Sequence, residues 1–277
     1  MLAVLLALGA SATWGLADFY GPLKGRRLGA LRTLLYVQVA GLTAIALIVA
    51  ARARGPAHPA AFFAVPAAIS GTLGLYSYYR GMAVGAMSVV APIAGASAAI
   101  PVVFGIATGD RPSVVTGFGI AASLIGVVLA SRERRPGGSR VAAGVGLALL
   151  AAIGFGCYFP PMHAAGRADF WWAALLFRIT STSVIVVAAL LRRPPLRIDR
   201  ADALFLALVG VGDMTGNLLF AAASSRGLVS VTSVLASLYP IVTVALARTV
   251  LQERVARTQQ AGVVLTLAGV ALISAGY

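Results

Sequence analysis

Two carboxylates could do chemistry because each lies inside a long apolar stretch of the sequence: Asp18 and Asp213. An ionised carboxylate is costly in hydrocarbon, so one retained there commonly binds a cation or exchanges a proton. Asn217 lies one helical turn after Asp213 and would share its face. Two alternatives stay open. Asp18 could form an ion pair with Lys24 or Arg26, and Asp213 could be a hydrogen-bonded structural acid.

Two aromatic residues, Trp14 and Tyr239, lie deep in apolar stretches and beside small residues. They are expected to line a solute pocket, whereas most Tyr and Trp residues of membrane proteins belong to interfacial belts. Ser237 precedes Tyr239-Pro240, and a proline removes one helical hydrogen bond and frees a backbone carbonyl. Such breaks are tolerated in membrane helices where they line a cavity. The alternative for this segment is a purely structural kink.

A tyrosine cluster, Tyr76, Tyr78 and Tyr79, lies in the third apolar stretch. Tyr78 and Tyr79 are near its end, where tyrosines often form an interfacial belt. Arg178 is expected either to extend to the membrane surface or to hold a carboxylate substrate. The candidate solute-binding residues are Trp14, Tyr76, Asp213, Asn217, Ser237 and Tyr239, and the candidates for proton coupling are Asp213 and Asp18.

The composition requires these residues to be positioned within a membrane. Hydrophobic residues make up 60% of the 277 residues and charged residues only 11%, with a mean hydropathy of +0.92. A soluble chain of this size needs far more polar surface. Roughly 17–25 apolar residues suffice for a helix that crosses a bilayer. The predicted spans are residues 2–22, 31–51, 60–79, 83–107, 113–131, 141–161, 170–191, 202–223, 228–249 and 259–275.

The second half of the sequence echoes the first. The segment 85–89 is matched 142 residues later by 227–231, and the glycine pair Gly119 and Gly126 by Gly262 and Gly269 at a spacing of 143. Five spans per half is an odd number, so the two halves would enter the membrane in opposite orientations. We therefore predict an all-α membrane protein of two inverted repeats, residues 1–131 and 141–277, joined by a polar linker, 132–140. The glycines of each pair lie seven residues apart on one helical face, where small residues permit close backbone contact.

The charge distribution indicates membrane orientation rather than a nucleic-acid partner. The net charge is +14, but the basic residues are concentrated in the loops after the odd-numbered spans. Taken as a positive-inside pattern, this places both termini outside the cytoplasm. No cofactor or metal is expected, because the sequence has one cysteine, Cys157, and two histidines. It contains no HExxH motif, nucleophile elbow or Walker A loop, so neither an enzyme nor an ATP-driven pump is indicated.

The chain resembles the EamA-type transporters of the drug/metabolite transporter superfamily. The residues that carry the resemblance are Trp14-Gly15, the run 227–230 leading into 237–240, and Leu251-Gln252-Glu253-Arg254 followed by Gln260 and Gly262. The resemblance implies ten helices in two inverted five-helix repeats around a central cavity, with helices five and ten at the periphery. It also implies cytoplasmic termini, against the charge pattern.

From the residues and the resemblance together we expect a multi-pass protein of the inner cell membrane. It would export a small metabolite, such as an amino acid or a related compound, by alternating access. A coupling proton and the lipid bilayer are the expected partners, and the protein would be a monomer or a homodimer. One alternative is an uptake carrier for a cationic or quaternary-amine solute, and an alternative of another class is a membrane-embedded enzyme or scaffold.

Overall fold

The computed structural model describes residues 1–85, 87–130, 138–252 and 257–275, and in these residues all regular secondary structure is helical. The helices are α1 (Leu2–Leu28), α2 (Ala30–Arg52), α3 (Ala64–Val84), α4 (Met87–Gly95), α5 (Ala99–Ala107), α6 (Val114–Ala130), α7 (Gly138–Arg192), α8 (Arg200–Ser224), α9 (Val229–Ala236), α10 (Tyr239–Val250) and α11 (Arg257–Ala275). Short 3₁₀ turns, Pro59–Phe63 and Ala96–Ala98, precede α3 and α5. The predicted all-α class is confirmed for the described residues.

Six of the described helical stretches are long and apolar enough to cross a membrane. They are Leu2–Leu28, Ala30–Arg52, Pro59–Val84, Gly144–Arg192, Arg200–Ser224 and Val229–Val250. Two shorter apolar helices are Ile93–Ala107 and Val114–Gly126. The protein is therefore a multi-pass membrane protein, while the arrangement of ten spans in two inverted halves stays a prediction. Residues 132–137 of the predicted linker and the pair Glu253-Arg254 lie outside the described residues.

Prolines determine where two of the predicted spans break. Pro101 in α5 cannot donate to the carbonyl of Ser97, and a 3₁₀ turn lies there instead of a continuous helix. Pro240 in α10 likewise cannot donate to Ala236, and α9 ends at that residue. Each break lies four residues before a proline, although Pro22, Pro160 and Pro161 lie inside helices that continue, so a proline favours a break without dictating one.

The long helix α7 is bent at Asp169, whose φ of −161° and ψ of 101° are not helical. The Asp169 carboxylate accepts hydrogen bonds from the backbone N–H groups of Trp171 at 3.0 Å and Trp172 at 3.2 Å. This is the arrangement of a helix N-cap, so a new helical segment begins after the bend. The predicted spans 141–161 and 170–191 lie on either side of it.

Glycines allow the closest helix contacts. A Cβ on Gly154 of α7 would lie 2.6 Å from Gly74 Cα of α3, and one on Gly269 of α11 would lie 2.6 Å from the Gly119 carbonyl oxygen of α6. Neither distance leaves room for a side chain, so these backbones touch. In lipid such packing, rather than hydrophobic burial, drives helix association. The close backbone contact that the glycine pairs permit is found at Gly119 and Gly269, where α6 packs against α11, a pairing that the sequence did not predict.

Candidate functional site

A cavity lies at the middle depth of the helices, between α1, α2, α3, α7, α8 and α10. Its volume is about 60 Å³. The cavity is therefore sized for a small solute or a few waters. The described residues that line it are Trp14, Asp18, Gln38, Gly71, Thr72, Leu75, Phe155, Tyr158, Phe159, Phe177, Asp213, Asn217 and Tyr239.

Asp18 is buried, only 6% exposed, and faces this cavity from α1. The alternative of an ion pair with Lys24 or Arg26 is wrong. Lys24 Nζ instead donates to Asp202 at 2.7 Å, and Arg26 Nε donates to the Met82 carbonyl at 3.1 Å. Among the described residues no cation forms an ion pair with Asp18. Its carboxylate is thus free to interact with a solute.

Asp213 faces the same cavity from α8 but is already paired. Arg178 Nη2 donates to Asp213 Oδ2 at 2.7 Å, and Arg178 Nη1 donates to the Gln38 side-chain oxygen. Arg178 is fully buried, so the expectation that it extends to the membrane surface is wrong. Its other predicted role, holding a carboxylate substrate, stays a prediction, and the carboxylate that it binds in the structure is that of Asp213.

Asn217 uses its side chain inside the cavity wall. Its Nδ2 donates to the Asp213 backbone carbonyl at 2.9 Å, and its Oδ1 accepts a hydrogen bond from the Tyr158 hydroxyl at 3.0 Å. The amide therefore fixes the Tyr158 ring against the cavity. A continuous buried network then runs from Tyr158 through Asn217 and Asp213 to Arg178.

Aromatic rings form much of the wall. Trp14 meets Tyr158 edge to face with ring centroids 6.0 Å apart, and Phe159 at 6.3 Å. Tyr239 meets Phe155 edge to face at 6.2 Å. Rings packed in this way hold one another in place. Their faces attract cations such as ammonium groups.

The structure does not bring all the candidate residues to the cavity. Trp14, Asp213, Asn217, Tyr239 and Asp18 line it, whereas Tyr76 and Ser237 do not. Tyr76 is half-buried and packs against the main hydrophobic core. Ser237 is buried, and its hydroxyl has no hydrogen-bond partner among the described residues.

Tyr78 and Tyr79 were expected at the membrane interface, and this expectation is wrong. Both are buried, at 0% and 3% exposure. Gly21 of α1 makes room for Tyr79, since a Cβ there would collide with the phenol hydroxyl. Because Gly21 has no side chain, Tyr79 can pack between the helices instead of lying at the membrane interface.

Several wall residues were not among the candidates. Gln38 could have been found, because it is a carboxamide in the middle of an apolar span. Thr72 is a weaker signal of the same kind. Phe155 and Phe177 carry no such signal, since phenylalanine in an apolar span is equally at home facing lipid.

The wall can therefore bind a small solute by one free carboxylate, aromatic faces and a few hydrogen-bonding groups. Among residues 1–85, 87–130, 138–252 and 257–275, no three His, Cys, Asp or Glu side chains come together as a metal site. A cavity of this kind, at mid-depth between several membrane-capable helices, is typical of membrane proteins that carry small solutes.

Comparison with known proteins agrees with this class. The model of the EamA-like transporter family matches residues 1–132 and 142–275. The chain belongs to the EamA-like transporter family, and thereby to the drug/metabolite transporter superfamily. Members of this family are transporters rather than enzymes. The resemblance seen in the sequence is confirmed.

One solved crystal structure, of a protein whose description states no function, is similar over nearly the whole chain. It has a TM-score of 0.70 and 17% identity, with 98% of this chain and 95% of that chain covered. At this identity the similarity concerns the fold alone. A search of curated proteins gave no match.

Proposed function

We propose that this protein is a secondary transporter that exports a small amine-bearing metabolite across the inner membrane by alternating access. An amino acid or a related compound is the proposed cargo. The observation that carries the proposal is the mid-depth cavity, in which Asp18 offers a carboxylate that no described cation compensates. An ammonium group of a solute would supply the missing charge.

The size and polarity of the cavity support a small solute. Its volume of about 60 Å³ holds a few waters in this state, so the expected solute is small. Gln38 and Thr72 add hydrogen-bonding groups beside the aromatic wall. These groups suit the polar part of an amino acid, while the rings suit an apolar side chain.

We further propose that the transporter consists of two inverted five-helix repeats, residues 1–131 and 141–277. The family match in two segments, 1–132 and 142–275, supports this division. So does the bend of α7 at Asp169, which divides a helix of 55 residues. At 1.5 Å per residue the described stretch Gly144–Arg192 is long enough for two crossings of a bilayer about 30 Å thick. Inverted repeats would let one half rock against the other around the cavity.

A second candidate is uptake of a quaternary amine, and the aromatic wall favours it. Trp14, Tyr158 and Phe159 present three mutually packed rings on one side of the cavity, and Phe155 and Tyr239 present two more. Such a cage binds a methylated ammonium group without hydrogen bonds. The two candidates differ in whether the solute carries N–H donors and a carboxylate.

Flux into and out of proteoliposomes tests the proposal directly. The purified protein would be tested with labelled leucine, phenylalanine, choline and butylamine, each with and without a proton gradient. Accelerated flux of the amino acids over empty liposomes is expected. Flux of choline alone would favour the second candidate, and no flux of any amine-bearing solute would overturn the proposal.

A further inference from the structure

Arg178 is the largest fully buried side chain among the described residues, and it lies in a membrane-spanning helix. A guanidinium in such a place is costly unless a counter-charge and hydrogen-bond acceptors surround it. Asp213 supplies the charge at 2.7 Å, and Gln38 supplies a second acceptor. The Ser181 hydroxyl also donates to Gln38 at 3.2 Å, which orients the carboxamide.

The helices around Arg178 are shaped to accommodate it. A Cβ on Gly41 of α2 would lie 3.2 Å from the guanidinium carbon of Arg178 and 2.9 Å from the Gly210 carbonyl oxygen of α8. A Cβ on Gly210 would collide with the Val37 carbonyl. Two glycines thus let α2 and α8 touch while the side chain from α7 lies between their faces. The Arg178 side chain is therefore part of the packing between α2, α7 and α8.

Arg178 itself does not line the cavity, whereas both groups that it binds, Asp213 and Gln38, do. The charge of Arg178 therefore affects the cavity through Asp213 and Gln38. The cavity wall holds two carboxylates, Asp18 and Asp213, and Arg178 compensates one of them. Lys24 and Arg27 cannot compensate the other, because both bind Asp202.

We propose that Arg178 is a specificity-determining residue that sets the charge of the cavity to a single negative unit. Asp18 then contacts the positive group of the solute, and Asp213 acts as the counter-ion of Arg178. The solute carries one ammonium group at this end rather than two. The proposal rests on the proposed transport function, and it assigns different roles to the two carboxylates of the site.

Trp14 offers a direct readout of binding. The chain has three tryptophans, and of these only Trp14 lines the cavity. The double variant Trp171→Phe/Trp172→Phe leaves Trp14 as the only tryptophan and places it beside the bound solute. Its fluorescence in nanodiscs would be titrated with butylamine, which carries one charge at neutral pH, and with 1,4-diaminobutane, which carries two.

The charge cycle uses four proteins in this background: unchanged, Arg178→Gln, Asp213→Asn, and Arg178→Gln/Asp213→Asn. The unchanged protein should bind butylamine more tightly than the diamine. Arg178→Gln uncovers a second negative charge, so the preference should move to the diamine. Asp213→Asn leaves a buried cation near the site and should weaken butylamine binding by about tenfold or more. The double variant removes the pair together and should restore the butylamine preference.

Three results would overturn the proposal. A folded double variant that has lost butylamine binding would mean that Asp213 contacts the solute itself. An unchanged preference in Arg178→Gln would mean that its charge does not reach the cavity. Arg178→Lys keeps the charge and should keep the preference even where the glutamine variant folds poorly, so a changed preference there also contradicts the proposal. Ser181→Ala removes a hydrogen bond to Gln38 but no charge, and Ser181 does not line the cavity, so this variant is the matched control and should not alter the preference.

The outcomes also separate this inference from the proposed function. Flux of amines with a preference that ignores Arg178 contradicts the charge assignment alone. Binding of butylamine that follows the charge cycle, without flux of any amine-bearing solute, contradicts the transport function alone. Monodisperse size-exclusion profiles and thermal unfolding would establish that each variant is folded.

Discussion

Asp18 on α1 and Asp213 on α8 line the same cavity, but only Asp213 has a cation partner, Arg178 at 2.7 Å. The two carboxylates are about equally buried, but they differ in whether a cation neutralises them. A paired carboxylate has its charge satisfied within the protein, whereas a free one must find a proton, a water or a solute. The difference makes Asp18 the residue at which the site should be most sensitive to substitution.

We accordingly predict that Asp18→Asn lowers solute binding and flux by about tenfold or more, the scale expected when a solute cation loses its counter-charge in a low-dielectric site. The substitution keeps the shape of the side chain, so the protein should still fold. Titration of Trp14 fluorescence and proteoliposome flux measure the two effects. Asp202→Asn is the control, because that carboxylate binds Lys24 and Arg27 instead of lining the cavity. Wild-type flux in Asp18→Asn would remove Asp18 from the site.

The sequence predicted the wall residues whose polarity makes them conspicuous in an apolar span. Asp18, Asp213 and Asn217 all reach the cavity, because polar groups in hydrocarbon must face the interior of the bundle. The breaks at Ala236 and near Ser97 follow from Pro240 and Pro101 by the same local logic. The depth of a residue along its span and the position of a proline near a helix break can both be read directly from the sequence.

The sequence could not predict which residues of different helices contact each other. Arg178 and Asp213 are 35 positions apart, and their contact depends on how α7 and α8 are rotated about their axes. Gly41 and Gly210, which bring the helices together around the guanidinium, carry no charge or aromatic signal. Ser237 shows the same limit. It is two residues from Tyr239, but the helix break between them places only Tyr239 on the cavity wall.

The second prediction concerns the packing of Trp14 against α8. A Cβ on Gly216 of α8 would collide with the Trp14 indole, whereas one on Gly212, four residues earlier on α8, would meet nothing within 4 Å. Gly216→Ala should therefore displace the indole and lower the free energy of unfolding by about 1–3 kcal/mol, the usual cost of overpacking. Gly212→Ala should be neutral or slightly stabilising, since alanine favours a helix over glycine. Thermal unfolding and the Trp14 emission spectrum compare the two, and equal effects would show that the indole does not rest on Gly216.

The last prediction concerns a row of buried hydroxyls on α9 and its C-terminal end. Ser230, Ser233 and Ser237 follow one another at spacings of three and four, so they share a helix face. All three are buried, and their hydroxyls have no hydrogen-bond partner in the part of the chain that the structure describes. At one end the Asp110 carboxylate accepts a hydrogen bond from the Ser230 backbone N–H at 2.9 Å. Just beyond the other end of the row, Tyr239 lines the cavity.

Unsatisfied hydroxyls are costly in a membrane interior, so this face should be hydrated in another state of the transport cycle. We expect Ser233→Cys, in a Cys157→Ser background without other thiols, to react with a membrane-impermeant methanethiosulfonate. Val234→Cys is the matched control, because Val234 is equally buried at 1% exposure but packs in an apolar cluster. A transported solute that holds the protein in one state should change the rate at Ser233→Cys by several-fold and leave Val234→Cys unreactive. If both thiols react equally, or neither reacts under active flux, the serine row is not part of the route.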